Sequence, residues 1–225
     1  MSDTTSASAT PGLAHHFADA DQQHAAGNFG MWVFLVTEIM FFGGVFCGYT
    51  IYRSLYLPAF EAGSRLLDVR LGATNTAVLI ASSLTMALAV HAAQIGKRKA
   101  LIFFLLLTMA LGLTFLGIKY LEYAHKWQDF LVPGIRFAPT ETLPSGVTLP
   151  NLELFFCFYF IMTLLHALHM IIGLGILGVL VSMAWRGKFS AAYNTPVELS
   201  GLYWHFVDII WIFLFPLLYL IGGRY

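Results

Sequence analysis

Apolar residues dominate five stretches of the chain, Phe29–Tyr52, Thr74–Gln94, Ala100–Glu122, Asn151–Trp185 and Glu198–Gly222, and polar or turn-forming residues separate them. Each run holds about 20 residues or more, which at roughly 1.5 Å of rise per residue covers the ~30 Å of bilayer hydrocarbon. Lipid has no water to satisfy an open sheet edge, so the pattern predicts an all-α integral membrane bundle of five transmembrane helices. The fourth run exceeds what a perpendicular crossing needs and is expected to tilt or to project from the bilayer.

The ends of these runs carry their own signals. Residues 1–28 form a polar N-terminal arm and residues 29–225 the membrane domain. The arm lacks a basic region followed by an apolar core, so it does not read as a secretory signal. Its His15, His16 and His24 read as solvated side chains. Thr195-Pro196-Val197-Glu198 has the form of a capping box with proline at the first helical position. Asn151 is placed to cap the fourth helix, with Glu153 favourably set against its dipole. Pro216 is expected to kink the fifth helix or to remove one of its hydrogen bonds. The connection Trp127–Pro150, rich in proline, is expected to be an ordered external flap.

Composition strengthens the membrane assignment: 58% of residues are hydrophobic and 11% charged, with a mean hydropathy of +0.74, whereas soluble domains carry about 25% charged residues. The formal net charge of zero offers no electrostatic case for nucleic acid. Cys47 and Cys157 lie in apolar runs and read as small hydrophobes.

Ionisable residues inside the runs are the chemically informative positions, because each costs roughly 2.5–3.5 kcal/mol at membrane depth unless it finds a partner. His205 and Asp208 stand three apart on one face of the fifth helix. Glu38 and His205 lie at similar distances from the same membrane surface, roughly 10 Å at 1.5 Å per residue. A buried cluster of Glu38, His205 and Asp208, sharing protons or hydrogen bonds, is therefore expected. His166 and His169, also three apart, are expected to be neutral and to bond across helices; a haem or metal role would need further ligands at matching depth. Lys119 and Glu122 read as an interfacial salt bridge. Gly43, Gly44 and Gly48, with Gly173, Gly175 and Gly178, are expected to let helices approach closely. The dense Lys97-Arg98-Lys99 turn favours a cytoplasmic N-terminus, with Trp32, Trp185 and Trp204 forming a belt on that side.

Five motifs in order, Thr37-Glu38-Ile39-Met40-Phe41-Phe42, Asn75 to Ser83, Glu122-Tyr123, His166-Ala167-Leu168-His169 with Gly173, and Tyr203-Trp204-His205-Phe206-Val207-Asp208 with Trp211, resemble subunit III of the haem-copper oxidases, specifically its five-helix bacterial form. The resemblance implies a non-catalytic subunit of a respiratory cytochrome c oxidase, a translocase that reduces oxygen to water and pumps protons. Such a subunit stabilises the catalytic chain, holds phospholipid and supports proton uptake. It implies no cofactor on this chain, haems and copper in partner subunits, direct contact with oxidase subunit I, association with subunit II, and a bacterial inner membrane with the N-terminus cytoplasmic and the C-terminus periplasmic. Glu38 then matches the family's buried carboxylate, and His166, His169, Glu122, His205 and Asp208 its other intramembrane polar positions. Lys119 departs from the longer form, which has glutamine there, and the five-helix form corresponds to the last five helices of the seven-helix type. Two alternatives stay open: an accessory subunit of a quinol oxidase or nitric oxide reductase, and a transporter or haem-binding membrane anchor.

Overall fold

A computed structural model describes residues 19–134, 137–139, 146–190 and 193–222. The helices are α1 (Ala20–Leu55), α2 (Leu57–Arg65), α3 (Val69–Gln94), α4 (Arg98–Gln128), α5 (Leu149–Trp185) and α6 (Thr195–Phe215), and α6 runs on into a π-helical turn at Pro216–Leu220. All except α2 are long and apolar enough to cross a membrane. The expected all-α bundle of five spanning helices is the observed one. The short helix α2 escaped the hydropathy pattern because it is amphipathic and too brief to span. Pro58 sits in its first turn, and it buries Ala59, Phe60, Gly63 and Ser64 on one face.

Several boundaries differ from expectation. Helix α1 begins at Ala20, inside the stretch expected to be a free arm, because the Asp19 carboxylate caps it by accepting from the Gln22 amide at 2.7 Å. His24, in its first turns, is not simply solvated: it bonds Asn28 at 3.2 Å and lies 3.4 Å from Glu198. His15 and His16 lie outside the described residues. The capping box at Thr195 does not form. Asn194 occupies the cap position, and Glu198 instead accepts from Gln94 at 2.8 Å across to α3. Helix α5 starts two residues before Asn151, with Thr148 at the cap. Glu153 accepts from the Gly134 amide at 2.8 Å, tying the preceding connection to α5. Residues 135–136 and 140–145 of that connection lie outside the described residues.

The bundle is organised by inward seams. On α3 the buried residues include Gly72, Asn75, Leu79, Ser82, Met86, Ala89 and Ala93. On α4 they are Leu101, Leu105, Thr108, Gly112, Phe115, Lys119, Glu122 and Lys126. Alternating steps of three and four residues keep one stripe facing a neighbour, as in coiled-coil packing, which is also the common geometry of membrane bundles. Helix α6 lies centrally against α1, α3 and α5, while α4 closes the ring between α3 and α5.

Close approach falls at glycines other than most of those expected. Gly43, Gly44 and Gly175 face open space, whereas Gly112 and Gly173 lie against the two sides of the Trp204 indole. A β-carbon at Gly112 would lie 2.9 Å from that ring and one at Gly173 3.0 Å from it. Trp204 is consequently a core residue, 1% exposed, and not part of an interfacial belt; Trp32 and Trp185 do remain exposed. Cys157 is half-buried, but Cys47 is exposed on α1.

Candidate functional site

Three polar constellations occupy the spanning helices. The first joins α1 to α5. Leu35, Phe42 and Tyr49 fix the buried stripe of α1, and Glu38 shares that stripe. Its carboxylate lies 3.1 Å from His169 Nε2, while His169 Nδ1 lies 2.8 Å from the Leu165 carbonyl. Tyr203 of α6 donates to the His169 carbonyl at 2.9 Å, which completes the corner. Glu38 and His169 line a pocket of about 340 Å³ with Met31, Phe34 and Tyr203.

The second lies between α4, α5 and the π-helical turn. Lys119 Nζ bonds Glu122 at 2.8 Å and donates to the Tyr219 hydroxyl at 2.8 Å. Tyr219 and Tyr159 donate to the other carboxylate oxygen at 2.5 and 2.9 Å. Both charged side chains are almost fully buried, 3% and 2% exposed. The ammonium also stands 4.8 Å from the centre of the Trp211 ring and is surrounded by the rings of Tyr123, Tyr159 and Tyr219. The expected pair is therefore present but internal, enclosed by an aromatic shell, and not an exposed salt bridge at the surface. Charge-assisted bonds and the attraction of a cation to aromatic faces offset the loss of solvent.

The third runs along α3 and α6 as successive rungs. Trp211 donates to Thr76 at 3.1 Å, Trp204 to Ser82 at 2.7 Å, and Ser83 bonds His205 Nδ1 at 2.7 Å. Asp208 is 3% exposed. Its carboxyl oxygens are buried, with the Ser83 hydroxyl beside them in one pocket as the donor within reach.

The expected cluster of Glu38, His205 and Asp208 is thus divided. Glu38 pairs with His169, and His205 with Ser83. Glu38 and His205 lie at comparable levels along parallel helices, with Phe42 of α1 against Phe206 of α6 and Tyr49 donating to the Leu217 carbonyl. Direction around the helix decided the pairing. At about 100° per residue, Tyr203 and His205 point to nearly opposite sides of α6; Tyr203 takes the side of Glu38 and His169, so His205 turns to α3. His166 and His169 are separated similarly. His166 is buried between the rings of Phe115 and Trp211, at 5.3 and 5.1 Å, and makes no cross-helix hydrogen bond among the described residues. Sequence reasoning missed Tyr159, Tyr219 and Ser83. Tyr159 and Tyr219 stood as isolated phenols in apolar runs, where an otherwise unpaired hydroxyl is a signal that a partner lies nearby.

Fold and polar constellations together define a multi-helix membrane protein whose spanning helices bury polar side chains and hydrogen-bond several of them across helices. The family model for cytochrome c oxidase subunit III matches residues 13–130 and 141–223. Cytochrome c oxidase subunit 3 of Synechocystis is 34% identical over 94% of this chain and 82% of its own length. Cytochrome bo(3) ubiquinol oxidase subunit 3 of Pseudomonas aeruginosa is 30% identical over 94% of this chain and 97% of its own. Cytochrome c oxidase subunit 3 of the carp Cyprinus carpio is 31% identical over 87% of this chain and 69% of its own. The chain belongs to the cytochrome c oxidase subunit III family and is a subunit of a haem-copper oxidase.

Proposed function

We propose that this chain is the non-redox subunit III of a proton-pumping oxidase that reduces oxygen to water with electrons from cytochrome c. It would lie in a bacterial inner membrane with its N-terminus cytoplasmic, touch subunit I directly, associate with subunit II, and hold phospholipid against its apolar faces. Haems and copper belong to the partner chains. The observation that supports the non-redox part of this reading is that His166, His169 and His205 are engaged separately: His169 by Glu38, His205 by Ser83, and His166 by aromatic rings. Metal or haem ligation would require such side chains to converge. Glu38, with His169, is the position through which the subunit would influence proton uptake, because the pair borders a pocket.

The test is to purify the oxidase through a tag on this chain and then to separate the subunit. The complex is expected to carry the Soret absorption and oxidase activity, and the isolated subunit neither. A stoichiometric Soret band on the isolated subunit would overturn the reading. A second reading, with quinol as electron donor, is favoured by the length match to the Pseudomonas aeruginosa quinol oxidase subunit. Oxygen uptake by the purified complex with reduced cytochrome c, against uptake with a quinol, separates the two.

A further inference from the structure

Asn75 of α3 and His166 of α5 are 0% and 1% exposed, and neither side chain has a hydrogen-bond partner among the described residues. The amide offers two donor hydrogens and a carbonyl acceptor, and the neutral imidazole one donor and one acceptor. Buried polar groups in folded proteins nearly always find a partner, in the protein or in ordered water.

Packing brings the two side chains to one level at the centre of the bundle. Helices α3 and α5 lie across the ring from each other, with α4 and α6 between them. Thr85 bonds Thr108 at 2.8 Å and Lys126 donates to the Leu66 carbonyl, which fixes the antiparallel register of α3 against α4. That register sets Asn75 level with Ile118, within the turn that runs from Phe115 to Lys119. His166 packs on Phe115 from the α5 side, at 5.3 Å between ring centres. Trp211 of α6 reaches both sides. Its Nε1 donates to Thr76, the neighbour of Asn75, at 3.1 Å, and its ring centre is 5.1 Å from that of His166. Asn75 and His166 thus approach the bundle axis from opposite helices at the level of one indole.

Chemistry narrows what could satisfy them. Acyl chains carry neither donors nor acceptors. A metal ion is disfavoured, because the described residues hold no group of three His, Cys, Asp or Glu able to bind one, and the Lys119 ammonium stands 4.8 Å from the same indole. An anion would compete with Glu122, which already neutralises Lys119. The amide and the imidazole are both served by a small neutral molecule that donates and accepts. Water meets this description: buried waters make about three hydrogen bonds to otherwise unmatched groups, and one needs only about 10–15 Å³ of accessible space.

We propose that the centre of the α3–α4–α5–α6 ring is an internal water site, in which at least one bound water bridges the Asn75 amide to a ring nitrogen of His166 and so links α3 to α5. The bridge involves no partner chain and no redox group, so it stands or falls separately from the oxidase assignment. The test is a cryo-electron microscopy map, at a resolution that shows ordered water, of the purified complex with the unmodified chain and with Asn75→Leu. The expected result is a density peak about 3 Å from both an Asn75 amide atom and a His166 ring nitrogen, the ordinary hydrogen-bond distance, and its loss in Asn75→Leu. A direct bond between Asn75 and His166, side chains closing the space between them, or a peak that persists in Asn75→Leu overturns the proposal. Thermal unfolding of Asn75→Leu, His166→Leu and their combination gives an independent reading. A shared water couples the two positions, so the combined shift in melting temperature is expected to fall well short of the sum of the single shifts; additive shifts overturn the proposal. If a variant does not assemble, the map of the unmodified complex decides alone.

Discussion

Lys119 and Glu122 sit one helical turn apart, and their tyrosine shell removes them from solvent. Breaking one member of such a buried pair leaves an uncompensated charge, so Glu122→Leu is expected to lower stability by about 3–5 kcal/mol. Lys119→Leu combined with Glu122→Leu is expected to cost markedly less, because the desolvation penalty disappears with both charges. Thermal or denaturant unfolding of the detergent-solubilised variants measures both. Glu38 and His169 form a less enclosed contact, with side chains 20% and 12% exposed. A double-mutant cycle over Glu38→Gln and His169→Ala is expected to give a coupling of about 0.6 kcal/mol, the average for polar contacts between membrane helices, and no more than about 1.7 kcal/mol. The same cycle over Glu38→Gln and His205→Ala is expected to give a coupling near zero, since those residues bond different partners. At this scale the sequence marked which residues need partners. It left the choice of partner open, because Tyr203 and His205 differ in direction around α6 and not in depth.

At the scale of elements, the inward stripes of α3 and α4 explain where polar groups are tolerated. Asn75, Ser82, Thr108, Lys119 and Glu122 all occupy stripe positions, so each meets a neighbouring helix in place of lipid. The steps of three and four were not legible along the chain, because apolar residues such as Ile80, Leu84, Phe103 and Leu113 also cover the outward faces of α3 and α4. The partner of Trp204 was not legible. Gly112 and Gly173 make room for its indole, so Gly112→Leu is expected to overpack the α4–α5–α6 junction and to destabilise it by about 1–3 kcal/mol, while Gly43→Leu, in open space, is expected to be nearly neutral. Paired melting curves of the two variants test this. Pro216, foreseen as a disruption, marks the change from α-helix to π-helical turn. That turn carries Tyr219 to Lys119 and Glu122 and offers the Leu217 carbonyl to Tyr49.

At the scale of the whole molecule, α1 is the least buried of the spanning helices and α6 the most. Helix α1 is attached through Glu38, Phe42 and Tyr49, and α2 links it to the rest. With a protease site introduced between α2 and α3, the combination of Tyr49→Phe and His169→Ala with Phe60→Ala, which removes the ring that α2 packs on Phe155 of α5, is expected to release the α1–α2 fragment after cleavage while α3–α6 remain together; the cut but otherwise unmodified protein is expected to stay associated. Size-exclusion chromatography of the cleaved proteins distinguishes these outcomes. The sequence by itself determined that this chain is a bundle of five spanning helices, which side chains carry a desolvation cost, and the motif order that places it in its family. Hydrophobic length and the cost of burying charge act locally along the chain, so these features need no knowledge of neighbours. Only the tertiary structure decided that Glu38 belongs to His169, that His205 belongs to Ser83, and that the Asp208 carboxyl is buried beside Ser83. Those outcomes depend on the rotation of each helix about its axis, which is set by packing such as Trp204 between Gly112 and Gly173 and is not encoded in the depth of any one residue.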